Sequence, residues 1–146
     1  MGWTILGAAC MLATLGSDVG AQPAASNSTR STQAGVYTAD QAARGEEVYG
    51  NVCSGCHQTG SHTGAAFAMT WSGRPLSDLF EYISQSMPKT DPGSLTRRQN
   101  AQVVAYLLKL NGMPAGDAEL PADTITLKRI RIDKAGAAPG RGNDRR

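Results

Sequence analysis

The sequence predicts an all-α domain of three to four helices with a flexible N-terminal leader and a flexible C-terminal tail. Two start signals and one stripe carry this prediction. Thr38-Ala39-Asp40-Gln41 and Thr96-Arg97-Arg98-Gln99 both have the Ser/Thr-x-x-Glu/Gln form of a capping box, in which side chain and backbone satisfy each other at a helix start. Between them Leu76, Leu79, Phe80 and Ile83 recur at i, i+3, i+4 and i+7, one face of an amphipathic helix. A chain of 146 residues is one domain's worth with tails.

Residues 1–21 read as a secretory signal. Trp3 to Leu15 is apolar or small, too short for a bilayer core that takes about 20 residues. Val19-Gly20-Ala21 then offers a small-x-small cleavage site. No Lys or Arg precedes the apolar run, and Cys10 lies inside it without the surroundings of a lipid-attachment site. The chain is thus expected to be exported, with no transmembrane segment after cleavage. Residues 22–36, rich in Ser, Thr, Ala and Asn, read as a flexible spacer.

The folded domain is expected over 37–112. The first helix begins at Thr38 and presents Ala42, Gly45, Tyr49 and Val52/Cys53 on one small, apolar face. Gly45 costs a helix about 1 kcal/mol relative to Ala, which points to a neighbouring helix in close approach. The stretch from His62 to Trp71 reads as loop, anchored by Phe67 and Trp71. Pro75 then introduces the middle helix, which ends at Ser86-Met87-Pro88. Val103, Val104, Leu107, Leu108 and Leu110 make the last helix, stopped by Asn111-Gly112 and Pro114. Its Ala105-Tyr106-Leu107 portion is placed to cross the Gly45/Tyr49 face. In the extension, 113–146, the alternation Thr124-Ile125-Thr126-Leu127 suggests a short strand, and the end from Gly136 reads as disordered.

The chemistry lies where the first helix ends, in Cys53-Ser54-Gly55-Cys56-His57. Cys-x-x-Cys-His is the attachment signature of c-type haem. The two thiols form thioethers with one porphyrin edge, and the adjacent imidazole becomes the proximal iron ligand. A redox dithiol would want this run after a strand in a βαβ pattern. A zinc site using Cys53, Cys56, His57 and His62 would have to turn two adjacent residues onto one tetrahedral ion. Haem, covalent and single, accounts for the run best. Met87 supplies a soft thioether suited to the iron's sixth position, and Pro88 holds it in extended backbone. Met69, Met113 and His62 are the competing ligands. The folded part is near the size at which a core alone supplies little stability, so the chain without its haem is expected to be largely unfolded.

Net charge is only +2 and gives no argument for nucleic acid as a partner. Charge is uneven, however. Residues 22–123 carry seven basic and nine acidic side chains, whereas 124–146 carry seven basic and two acidic, a mildly acidic body with a basic tail.

The helix with Gly45-x-x-x-Tyr49, the haem run, Met87-Pro88 and the closing helix with Ala105-Tyr106-Leu107 resemble a class I c-type cytochrome over about Tyr37 to Gly112. Asp91-Pro92-Gly93 and Asn111-Gly112 are similar to a bacterial subgroup that serves periplasmic PQQ-dependent dehydrogenases. The resemblance implies a small cytochrome c fold around one haem and an exported, periplasmic electron carrier rather than an enzyme. It also implies redox protein partners, such as a quinoprotein dehydrogenase or a terminal oxidase. Trp71 and Arg74 match donors that hold haem propionates in the class. The proline whose carbonyl normally hydrogen-bonds the proximal imidazole is missing from His62 to Phe67. Two further readings follow: a haem enzyme or gas sensor with an open sixth position, and a fixed electron-transfer subunit docked by the basic tail.

Overall fold

The computed structural model describes Met1 and residues 29–134. Most of the segment read as a secretory signal, the first part of the expected spacer and the tail beyond Lys134 lie outside the described residues. The described residues form five α-helices, α1 (Ala39–Val48), α2 (Gly64–Trp71), α3 (Leu76–Ser86), α4 (Arg97–Leu110) and α5 (Thr124–Leu127), flanked by two short strands, β1 (Arg30–Ser31) and β2 (Ile130–Arg131). This is the predicted all-α architecture with a minimal sheet added. Among the described residues no helix is long and apolar enough to cross a membrane.

Both start signals operate, but differently. At α4 the capping box is complete: the Gln99 N–H donates to Thr96 Oγ1 (3.2 Å) and the Thr96 N–H donates to Gln99 Oε1 (2.9 Å). At α1 Thr38 accepts from the Gln41 N–H, but the Gln41 side chain does not return to the cap. It is buried, donating to the Leu120 carbonyl (2.9 Å) and accepting from the Leu120 N–H (2.7 Å). A buried amide needs both partners, and a chain segment nearly eighty residues away supplies them.

The principal packing contact joins α1 to α4. A Cβ on Gly45 would lie 1.9 Å from the Gln102 carbonyl oxygen and 3.0 Å from Tyr106 Cβ. Glycine is therefore required by the approach of the two backbones, and Ala42, Ala101 and Ala105 continue the small-residue seam, all buried. The α3 stripe Leu76, Leu79, Phe80 and Ile83 packs inward as predicted, against α4 and α5.

Four expectations are corrected. The stretch from His62 to Trp71 is not loop: a 3-10 turn at Thr59–His62 precedes the two-turn helix α2, which buries Phe67 alone. Thr124–Leu127 is a helical turn, because Asp123 caps it by accepting from the Thr126 N–H (2.8 Å). Its Ile125 is 76% exposed and its Leu127 fully buried, so the alternation reports one turn's two faces. The second half of the expected spacer is folded: Thr32 and Val36 are buried, and Arg30–Ser31 pairs in parallel with Ile130–Arg131. The start of the extension is folded too, with Met113, Leu120, Leu127, Ile130 and Ile132 in the core.

That extension wraps the domain. Tyr37 Oη donates to the Met113 carbonyl (2.6 Å), and the Gly116 N–H donates to the Tyr37 carbonyl (2.7 Å). The chain then reaches the turn before α3. There the Gly73 N–H donates to the Ile132 carbonyl (2.7 Å), and the Ile132 N–H donates to the Arg74 carbonyl (2.9 Å).

Two outcomes follow. Gly45→Ala forces α1 from α4 and lowers stability by at least about 1–3 kcal/mol, the usual range for overpacking, measured by denaturant unfolding. Ile132→Ala, at a fully buried position, costs about 2–5 kcal/mol in the same assay. A solvated tail would show no change.

Candidate cofactor site

The α-helical ladder of α1 ends at Val48, and a π-helical turn, Tyr49–Cys53, carries the chain onward. Such turns are uncommon and concentrate at functional sites. The Ser54 N–H donates to the Tyr49 carbonyl (3.0 Å), closing the wide turn, and the Ser54 hydroxyl donates to the Gly50 carbonyl (2.6 Å). A tighter turn follows immediately. The N–H groups of Cys56 (3.1 Å) and His57 (2.9 Å) both donate to the Cys53 carbonyl. Cys53, Cys56 and His57 are thus held by backbone bonds within one compact turn at the end of a long helix. The two thiols are free, Cys53 half-buried and Cys56 exposed.

All six residues singled out from the sequence line one cavity of about 720 Å³: Cys53, Cys56, His57, Trp71, Arg74 and Met87. They come from three places, namely the end of the π turn, the α2–α3 junction and the segment after α3. Val103 and Leu107 of α4 and Leu79 and Ile83 of α3 form apolar walls. The volume falls within the roughly 300–1,000 Å³ of cofactor-sized sites. Met87 follows α3 in extended backbone (φ −128°, ψ 149°), as its place before Pro88 predicts. Among the competitors, Met69 is 87% exposed and outside the cavity lining, and Met113 is buried beside a separate cavity of about 360 Å³. His62 does line the main cavity.

Two anchors hold the turn. Tyr49, buried and tilted against Tyr106 at 5.4 Å between ring centroids, donates its hydroxyl to the His57 carbonyl (3.1 Å). Burial, then the neighbouring Cys53 and Tyr106, push the Tyr49 phenol above its ordinary pKa, so it stays a donor at neutral pH. Asn111, the residue closing α4, accepts from the Gly64 N–H (3.0 Å) and donates to the His62 carbonyl (2.9 Å) and the Leu107 carbonyl (2.8 Å). The segment after the Cys-x-x-Cys-His run is thereby tied to α4. Burial, then His57, lower the His62 pKa and favour a neutral imidazole. Burial also pushes the Cys53 thiol up.

At the α2–α3 junction Arg74 sits over Trp71, 5.0 Å from the ring centroid. Its Nε (3.0 Å) and Nη2 (2.8 Å) both donate to Asp78 Oδ2, one helical turn on. Among the cavity residues that sequence reasoning missed are Tyr82, Lys89 and Thr90. Tyr82 packs on Trp71 at 5.7 Å, and its signal was its place on the exposed edge of the α3 stripe. Lys89 and Thr90 directly follow Met87-Pro88, in a stretch with no periodicity to mark them.

Two thiols, an imidazole and a thioether share one largely apolar cavity with Arg74 and Lys89 on its lining. This soft donor set, with cationic groups to meet carboxylates, fits a covalently held porphyrin. It does not fit a structural metal centre, and among the described residues no group of three or more His, Cys, Asp or Glu side chains is placed to hold a metal ion. A family model described as cytochrome C oxidase, cbb3-type, subunit III matches residues 40–107. No curated protein and no solved structure matches the chain. The matched range runs from the first turn of α1 into the last turn of α4 and contains all six site residues.

Without a cofactor in a cavity of this size, α2 and α3 have few shared contacts across it. The Cys53→Ser, Cys56→Ser variant is expected to lose most of its helical circular dichroism. A native-like spectrum from that variant overturns the expectation.

Proposed function

Residues 40–107 being a c-type cytochrome domain that binds haem for electron transfer, we propose that the protein is an exported carrier of single electrons with one haem c attached through Cys53 and Cys56 and ligated by His57 and Met87. The observation that supports this reading is the convergence of both thiols, the imidazole and the thioether on one cavity. Haem held this way supplies a one-electron iron couple, and His/Met ligation raises its reduction potential.

The chain's own residues do the rest. The bonds to the Cys53 carbonyl close the turn and fix where His57 stands relative to the two cysteines. Met87 caps α3, its N–H donating to the Ile83 carbonyl (3.0 Å), and Pro88 keeps its backbone extended, with the side chain on the cavity lining. Val103, Leu107, Leu79 and Ile83 exclude water and lower the local dielectric, and this limits reorganisation when charge changes. Arg74 retains N–H groups beyond the two used by Asp78, and it lines the cavity beside Trp71, which supports a role for both at the acidic edge of the porphyrin.

The matched family's description names a subunit of a terminal oxidase, and this supports an oxidase component as partner over a quinoprotein dehydrogenase. It also supports the reading as a fixed subunit as well as a free carrier. The export signal read at residues 1–21 supports a periplasmic location. Lys128, Arg129 and Arg131 of the basic tail stand on the folded α5–β2 segment, where they present charge from a fixed surface.

Ligation is tested by optical spectroscopy of the holoprotein. Wild type is expected to be low-spin in both oxidation states, with the far-red absorption of a ferric thioether bond. Met87→Ala loses that band and binds carbon monoxide when reduced. His57→Ala loses the low-spin spectrum altogether. A wild-type protein that lacks the band and binds carbon monoxide has an open sixth position, and the carrier reading fails.

A further inference from the structure

A histidine that ligates a metal almost always donates its second ring N–H to an acceptor, which fixes the ring's rotation and raises its basicity. Within the described residues the polar side chain packed on the His57 ring is His62. The centroids are 4.7 Å apart and the planes tilted by 56°, the short end of the range for aromatic contacts. A neutral imidazole has one acceptor nitrogen and one donor, so His62 is chemically able to receive that N–H.

His62 does not lie there by chance of a loose loop. It ends the 3-10 turn Thr59–His62, whose start is closed by the Ser61 N–H donating to the Gln58 carbonyl (3.0 Å). Its own carbonyl and the Gly64 N–H are both gripped by Asn111 at the end of α4. Its ring also meets Tyr49 edge-on, at 6.2 Å and 85°. The same Tyr49 hydroxyl holds the His57 carbonyl. His57 and His62 therefore share one fixed point, Tyr49, and His62 is held by a second, Asn111 at the end of α4.

We propose that His62, held by Asn111, is a positioning residue for His57: it accepts the ring N–H turned away from the iron and sets the orientation and basicity of the proximal imidazole. The inference rests on the proposed ligation by His57 and assigns to a side chain the task of accepting its outer ring N–H.

The test uses the holoprotein and two readouts, the midpoint potential and the hydrogen exchange of the His57 ring N–H by NMR in the reduced state. His62→Phe keeps a ring against His57 but removes the acceptor. A less basic imidazole stabilises ferric iron less, so the midpoint is expected to rise by about 59 mV, a roughly tenfold shift of the one-electron equilibrium. The His57 N–H is expected to exchange faster than in wild type. His62→Gln restores an acceptor and returns both readouts towards wild type, whereas Asn111→Ala, which frees the segment, moves both in the direction of His62→Phe. The proposal is overturned if His62→Phe leaves both readouts unchanged. It is also overturned if His62→Gln shifts them as far as His62→Phe does, because His62 then serves as packing only. If His57→Ala keeps the wild-type low-spin spectrum, the ligation reading falls as well; loss of that spectrum beside a silent His62→Phe overturns the His62 inference alone.

Discussion

The distance between α1 and α4 governs everything built on them, and one missing methyl group sets it. The Gln102 carbonyl occupies the space where a Cβ of residue 45 would stand. Because the backbones meet there, Tyr49 one turn later reaches Tyr106, and the π-helical turn begins with its carbonyl and ring already placed. From that point the Tyr49 hydroxyl touches the His57 carbonyl. The same approach brings Val103 and Leu107 up as a wall of the cavity into which Cys53 and Cys56 lead. A glycine that weakens its own helix by about 1 kcal/mol thus fixes the separation between the Cys53–His57 turn and the opposite wall.

A second constraint acts from outside the matched family range. Residues 113–133 run back around the domain, tied to Tyr37 and Gln41 at one end and to the Gly73–Arg74 turn at the other. Ile132 bonds that turn through both its N–H and its carbonyl while its side chain is fully buried. Arg74 and Trp71 therefore line the cavity from a turn braced on its far side by a strand that also pairs with Arg30–Ser31. The ion pair from Arg74 to Asp78 is about half exposed and adds little stability by itself. Its effect is directional, since it holds the guanidinium over Trp71.

Features encoded locally were legible in the sequence. The Thr38 and Thr96 caps, the α3 stripe and the extended Met87 each depend on residues within one or two helical turns, and glycine at 45 signals its distant neighbour only through its local cost to the helix. Those decided by distant partners were not. Gln41 looks like the second half of a capping box, and only the folded position of Leu120 shows that its amide is needed elsewhere. Helix α2 has no stripe to read, because Gly64–Trp71 buries one side chain and leaves much of its surface to the cavity and solvent. Parallel strands of two residues each, a hundred positions apart, carry no local signal at all. Thr124–Leu127 misled for a related reason: in four residues, a strand's alternation and a single helical turn are indistinguishable, and the Asp123 cap decides.

The segment from Gln58 to Gly64 shows how a site residue escapes a motif-based reading even when it lies beside the motif. It holds no proline and no apolar period, and by composition it is a loop. Its order comes from Asn111, a residue whose evident task in the sequence is to stop a helix. Stopping α4 exposes the last carbonyls, and the Asn111 amide satisfies one of them at Leu107 while its remaining groups reach across to His62 and Gly64. The end of the last helix and the environment of His57 are therefore one structural event. A substitution at 111 acts on both at once, and so the fold cannot change how α4 ends without changing what stands behind His57.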